Sequence, residues 1–84
     1  MNIKDGFEVI NRDGNNFIIA KESDRQAIPI SEYSVFLWNL LKESPMSSGQ
    51  MLAKMLSAYD ISTVLALGEI DNFLRMLREN EIIE

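Results

Sequence analysis

The chain has 84 residues, a net charge of −5, and neither cysteine nor histidine. We expect one domain over residues 1–84 that is not an enzyme and has no disulfide, zinc site or cofactor, since the side chains of most such chemistry are missing. The acidic balance opposes nucleic-acid binding, and without a signal peptide or an apolar run of roughly 18 residues we expect a cytoplasmic protein that contacts no membrane.

Two β-strands joined by a tight turn are predicted near the amino terminus. Phe7–Ile10 contains β-formers, Asp13-Gly14 lies at the centre of a polar stretch, and Phe17–Ala20 is apolar again. The Asp-Gly pair favours a type I′ turn, whose central residues both need positive φ. With a short third strand at Ala27–Ile30, these segments predict a three-stranded antiparallel sheet.

A proline lies inside the third predicted strand. Proline cannot donate a ladder hydrogen bond, so this strand is expected at a sheet edge. Because bonding groups alternate along an antiparallel strand, Pro29 impairs the edge that it shares with Ala27 and Ser31. The opposite edge, served by Ile28 and Ile30, keeps every donor. One interpretation is that Pro29 only protects a free edge, and the other is that the edge binds a partner.

Three helices are predicted after the sheet. Ser31 suits an N-cap for the first helix, and Ser44-Pro45 ends it, because proline disfavours helical geometry in the residue before it. Ser47 and Gln50 fit a capping box at the start of the second helix. The third helix is predicted from about residue 62 or 63 to residue 80, with a short apolar tail after it.

The third helix combines a core face with a mixed stripe. At 100° per residue, the broad apolar face comprises Ala66, Leu67, Ile70, Phe73, Leu74 and Leu77. A flanking stripe comprises Leu65, Glu69, Asn72 and Met76. Such a mixture is typical of a peptide-binding rim, but single exposed apolar residues are also normal on surfaces. The residues alone leave both interpretations open.

The order β-β-β-α-α-α predicts an α+β fold of the winged helix-turn-helix type, which makes a DNA-binding transcriptional regulator the first alternative. The start of the third helix, residues 61–69, is apolar and ends in a carboxylate, whereas Arg75 and Arg78 lie too far along the helix to reach bases. A dimerisation module, in which the edge strand pairs with a second copy, is another alternative.

Three segments share their order and spacing with one family. Residues 30–41, ISEYSVFLWNLL, are similar to L-N-x-T-x-x-x-(I/L)-W-x-L-L, and residues 47–52 are similar to T-x-x-E-(I/L). Residues 69–77, EIDNFLRML, are similar to D-V-x-x-F-L-x-x-L. Over residues 7–83 the chain therefore resembles the PqqD-like family, named for pyrroloquinoline quinone synthesis protein D.

The chain departs from the family pattern at a few positions. Ser31 and Glu69 replace the usual asparagine and aspartate, and Asn80-Glu81 stands where a glycine often ends the third helix. The family pattern contains no catalytic residue, so these departures concern the subfamily more than the function.

The resemblance implies a non-catalytic peptide chaperone. Members of the family hold the leader segment of a ribosomally made precursor peptide as an added strand between strand 3 and helix 3, and present it to a modifying enzyme, often a radical S-adenosylmethionine enzyme. The implied peptide-binding residues are Ala27, Ile28, Pro29, Ile30, Leu65, Glu69, Asn72, Phe73 and Met76. We expect the peptide to bond to the main chain of Ile28 and Ile30. If these two residues pair with the second strand instead, the peptide would meet the donor-poor edge, and the assignment of this strand as the ladder would need revision.

Overall fold

The computed structural model describes residues 1–83, and Glu84 lies outside the described residues. The elements are β1 (Phe7–Arg12), β2 (Asn15–Ala20), β3 (Ile28–Ile30), α1 (Glu32–Glu43), α2 (Ser48–Ala58) and α3 (Thr63–Glu79). Their order confirms the predicted α+β fold, with an N-terminal three-stranded antiparallel sheet followed by three helices. Of the helices within residues 1–83, none is long and apolar enough to span a membrane.

The turn between β1 and β2 has the predicted geometry. Asp13 and Gly14 both have positive φ, at 55° and 84°, as a type I′ turn requires. The Asn11 side chain supports the turn from the adjoining strand: its Oδ1 accepts from the Gly14 N–H at 3.3 Å, and its Nδ2 donates to Asn16 Oδ1 at 3.1 Å. The local sequence therefore sets the pairing of the hairpin.

The sheet has a core face and an outer face. Val9, Ile18 and Ile28 lie in one cross-strand row, and all three belong to or pack against the hydrophobic core. Because side chains alternate along each strand, the next row points away from the helices. That outer row contains Ile10, Phe17 and Pro29, none of which belongs to the core of the described residues.

Serines begin all three helices. Ser31, Ser47 and Ser62 are the N-caps, and each side-chain oxygen accepts a hydrogen bond from a backbone N–H in the first turn. The predicted capping box is confirmed, since Ser47 and Gln50 bond reciprocally at 3.2 and 2.8 Å. α1 ends where predicted, with the C-cap Ser44 in an extended conformation.

The helices and β2 enclose the core, whose buried members are Ile18, Leu37, Trp38, Leu41, Met51, Met55, Ala66, Ile70, Phe73, Leu74, Leu77 and Ile82. The expectation that Leu67 belongs to this core is wrong, because 49% of the residue is exposed. Leu67 lies about 100° around the helix from the buried Ala66. Its neighbour Val64 is 81% exposed, so the first turns of α3 extend beyond the core.

The two ends of the described chain meet. Ile3 forms an isolated antiparallel bridge with Ile83, and the Lys4 N–H donates to the Ile82 carbonyl at 2.8 Å. Ile82 is fully buried and donates to the Leu77 carbonyl at 2.8 Å. The apolar tail after α3 is therefore part of the core, which fixes the position of the C-terminal end of α3.

Candidate functional site

The orientation of β3 follows from its proline. Pro29 lies opposite Phe17 of β2, and without an N–H it cannot form a doubly hydrogen-bonded pair. The bonded pairs must therefore be those of Ile28 and Ile30, whose N–H and C=O groups point to β2. The expectation that an incoming strand bonds to Ile28 and Ile30 is wrong, because β2 already occupies these groups.

The free edge of β3 consists of main-chain groups from alternate residues. Ala27 supplies an N–H and a C=O, Pro29 supplies a C=O, and Ser31 supplies an N–H, since Ser31 is extended with φ −80° and ψ 169°. The Ser31 carbonyl accepts from the Val35 N–H at 3.1 Å and belongs to α1. Within residues 1–83, none of the other four groups bonds to a backbone group, because the ladder between β2 and β3 uses the groups of Ile28 and Ile30.

Side chains of β3 divide between the two faces of the sheet. Ile28 and Ile30 are half-buried and pack against the core, whereas Pro29 is exposed on the outer face. Ala27 is half-buried and directly precedes the strand. The four predicted site residues of this segment are therefore brought together along one edge, with the isoleucines turned toward the helices.

The mixed stripe of α3 (Leu65, Glu69, Asn72 and Met76) runs along an accessible side of the helix. Leu65 is 45% exposed, Asn72 is exposed, and Glu69 and Met76 are half-buried. Phe73 is 1% exposed, so it supports the stripe from the core and does not lie on its surface. The stripe presents an apolar side chain, a carboxylate, an amide and a thioether in succession.

A pocket of about 280 Å³ lies where β3 begins and α3 ends. It is lined by Phe7, Ile18, Ala20, Arg25, Gln26, Ile28, Glu79, Asn80 and Glu81. The volume is below the range of sites for drug-sized ligands but is suitable for one side chain. Of the residues predicted from the sequence to bind a peptide, Ile28 alone lines this pocket.

Arg25 joins the loop before β3 to the end of α3. Its Nη1 donates to the Asn80 carbonyl at 2.9 Å, and its Nη2 lies 4.0 Å from the Glu81 carboxylate. The guanidinium carbon is 5.4 Å from the centre of the Phe7 ring. Sequence reasoning missed this contact because 55 positions separate Arg25 from Asn80, and no local pattern signals it.

The rim of the pocket is acidic. Glu79 and Glu81 contribute carboxylates, and the carbonyl end of α3 adds the negative end of the helix dipole. Arg25 is the cationic member of the lining, and it already contacts Asn80 and Glu81. The pocket therefore combines an apolar floor with a rim that favours hydrogen-bond donors.

The exposed start of α3 has a different character. Val64, Leu65 and Leu67 are exposed there, and residues 61–69 contain no lysine or arginine. The side chains that usually read base edges are arginine, lysine, asparagine and glutamine, none of which occurs in this segment. This surface is suited to apolar contact.

Comparisons with known proteins identify a family and a similar fold. A model of the family described as "Coenzyme PQQ synthesis protein D (PqqD)" matches residues 17–83. A solved structure, described as "TbiB1 in Complex with the TbiA(beta) Leader Peptide", is similar with a TM-score of 0.75 and 18% sequence identity. The similarity covers 100% of this chain and 95% of that chain, and at this identity it shows the fold alone. No curated protein sequence matches the chain.

Proposed function

Because the chain belongs to the PqqD family, we propose that it is a non-catalytic domain that binds the leader segment of a ribosomally made precursor peptide. The family match covers residues 17–83, and the similar TbiB1 structure is described with a leader peptide. The observation that carries the proposal is the β3 edge, where Ala27, Pro29 and Ser31 direct main-chain groups away from the sheet.

The leader binds as a strand added to β3. The N–H groups of Ala27 and Ser31 donate to the peptide, and the carbonyls of Ala27 and Pro29 accept from it. Each of these bonds contributes a net free energy of about 0.5–1.5 kcal/mol. Main-chain bonding of this kind gives affinity with little dependence on sequence, so the side chains must supply the selectivity.

The stripe of α3 forms the wall that selects the peptide. Peptide side chains that lie opposite Ile28 and Ile30 point to the core face, toward α3. Leu65 and Met76 offer apolar contact, while Glu69 and Asn72 offer hydrogen bonds. Phe73 does not contact the peptide, since it is buried, but its packing in the core fixes the position of the stripe.

The bound leader is presented to a separate modifying enzyme in the cytoplasm. The chain has neither histidine nor cysteine, so the chemistry is assigned to that partner, for which a radical S-adenosylmethionine enzyme is our proposal. In this arrangement the domain holds one end of the precursor while the enzyme acts on the remainder.

The test is a titration of the ¹⁵N-labelled chain with the leader segment of the precursor peptide encoded nearest to its gene. We expect amide shifts at Ala27, Ser31 and the stripe of α3, and weaker binding by Leu65→Ser. Val64→Ser is the matched control, because Val64 is exposed in the same turn but faces away from the stripe. Shifts confined to the hairpin turn or to the α1–α2 junction would contradict the proposal.

A further inference from the structure

The outer face of the sheet carries one apolar row that crosses all three strands. Ile10 pairs with Phe17, and Phe17 pairs with Pro29, so the three side chains lie side by side. Ile10 and Phe17 are half-buried although neither belongs to the core of residues 1–83, and Pro29 is exposed. We call Ile10, Phe17 and Pro29 the outer row.

The neighbouring rows on the same face are not apolar throughout. Arg12 pairs with Asn15 in one of them, and Glu8 pairs with Ile19 in the other. The outer row is therefore apolar throughout, whereas each neighbouring row contains a charged residue on β1. It ends at Pro29, on the same free edge of β3 to which the leader strand is assigned.

A strand added to this edge continues the outer row by one position. Residues opposite each other in a sheet place their side chains on the same face. The peptide residue opposite Pro29 therefore points to the outer face, while its two neighbours, opposite Ile28 and Ile30, point toward α3. A single peptide strand thus lies with alternate side chains on two different protein surfaces.

We propose that the outer row binds an apolar side chain of the leader, at the position opposite Pro29, so that the peptide is recognised from both faces of the sheet. This inference rests on the proposed strand addition. The peptide residue at this position must donate its N–H to the Pro29 carbonyl, so it is not a proline. Pro29 has a small, flat side chain, which lets a large apolar neighbour extend across it toward Phe17.

A second copy of the chain is a poorer occupant of this edge. If two β3 strands paired with Pro29 opposite Pro29, neither residue could donate, and that pair would form no hydrogen bond. A leader peptide supplies the N–H that the edge lacks. In this register the edge therefore favours a peptide over self-association.

The test uses an mRNA-displayed library of random 12-residue peptides selected against the whole chain. Positions whose preference changes in Met76→Ala are those that face α3, and the position between two of them faces outward. We expect large apolar residues and no proline at this outward position. Replacing that residue by serine in a selected peptide should weaken binding roughly 1.4- to 5-fold, the range of one cross-strand pair.

Phe17→Thr is the decisive variant, because threonine keeps the strand propensity but removes the ring. We expect it to abolish the preference at the outward position and leave the α3-facing preferences unchanged. Ile19→Thr is the matched control, since Ile19 is half-buried on the same face of the same strand but lies outside the outer row. Unfolding curves of both variants verify that they remain folded.

The outcomes separate the two proposals. Selected peptides with α3-facing preferences but no outward preference would overturn the outer row as a binding surface and leave strand addition standing. An outward preference that survives Phe17→Thr, or disappears equally in Ile19→Thr, would also overturn it. A failure to select any peptide would overturn the proposed function itself.

Discussion

The free edges of β1 and β3 offer different groups to an incoming strand. Next to β1, Lys21 donates to the Gly6 carbonyl at 2.8 Å, so Gly6 directs its main-chain groups toward β2. Because this direction alternates along the strand, Phe7, Val9 and Asn11 direct their main-chain groups outward. That edge has three donors and three acceptors. The β3 edge has only two of each, because one residue is a proline and one carbonyl belongs to α1.

The two edges therefore differ in their side chains as well as in the number of their donors, and the proposed leader binding at β3 depends on the side chains. β1 carries the exposed charges of Glu8 and Arg12, and charged side chains discourage strand addition. Residues 27–31 carry no charge, and Ile28 of β3 lines the pocket at the end of α3, as does Phe7 of β1. The edge with fewer donors is therefore the uncharged one, which is why we propose it for the leader.

The largest expected effect on stability comes from truncating Phe73, the buried side chain beneath the stripe of α3. Phe73→Ala should lower the free energy of unfolding by about 3–5 kcal/mol, because a fully buried ring leaves a cavity. Urea denaturation measures the change. The half-buried Val9 of β1 provides the comparison, since Val9→Ala should cost clearly less. Equal losses at both positions would contradict the assignment of Phe73 to the core.

A variant of the hairpin turn tests whether β1 contributes to peptide binding. Gly14→Ala should lower the free energy of unfolding by about 1–2 kcal/mol, because φ is 84° there and a side chain is strained in that region. Gly68→Ala is the matched control: apart from its chain neighbours and the helix's own backbone, no atom of residues 1–83 lies within 4 Å of its added Cβ, so the helix should gain about 0.5–1 kcal/mol. Peptide affinity, measured where both variants are folded, should be unchanged in each.

Restoring the missing donor should strengthen the β3 edge. Pro29→Ala adds an N–H that points to the bound peptide, and one further hydrogen bond should raise the affinity for the leader roughly 2- to 12-fold. Ala27→Pro removes a donor from the same edge and should lower affinity by a similar factor. Isothermal titration measures both. A weaker complex in Pro29→Ala together with an unchanged one in Ala27→Pro would show that the peptide does not pair with this edge.

The smallest effect is expected at the loop before β3. Arg25→Ala should lower the free energy of unfolding by less than about 1 kcal/mol, because the Arg25 side chain is 42% exposed and screened by water. Arg25→Lys keeps the charge but lacks the planar group that lies over Phe7, so it should resemble the alanine variant. Thermal unfolding at two salt concentrations separates the contribution of charge from that of stacking.

Local chemistry made most of the fold predictable. Asp13-Gly14 specifies the turn, and Ser47 with Gln50 specifies the start of α2, since each feature depends on residues within a few positions of one another. The stripe of α3 follows from helical periodicity in the same way. The exposure of Leu67 does not, because it depends on where the core ends and not on the pattern of the helix.

The direction of the β3 edge was mispredicted although its signal was present. A one-residue change in pairing exchanges the two sets of bonding groups, so periodicity alone cannot choose between them. The missing N–H of Pro29 distinguishes the two edges of β3. A strand with one partner directs its paired donors toward that partner, so the groups of Ile28 and Ile30 face β2. The contact of Arg25 with Asn80 had no such signal, since only the folded chain brings them together.

Amide hydrogen exchange with and without bound leader peptide tests the central claim most directly. We expect exchange at Ala27 and Ser31 to slow markedly in the complex, because their N–H groups gain partners. Ile28 and Ile30 should change little, since they already bond to β2. Slowed exchange along β1, with Ala27 and Ser31 unaffected, would contradict the account.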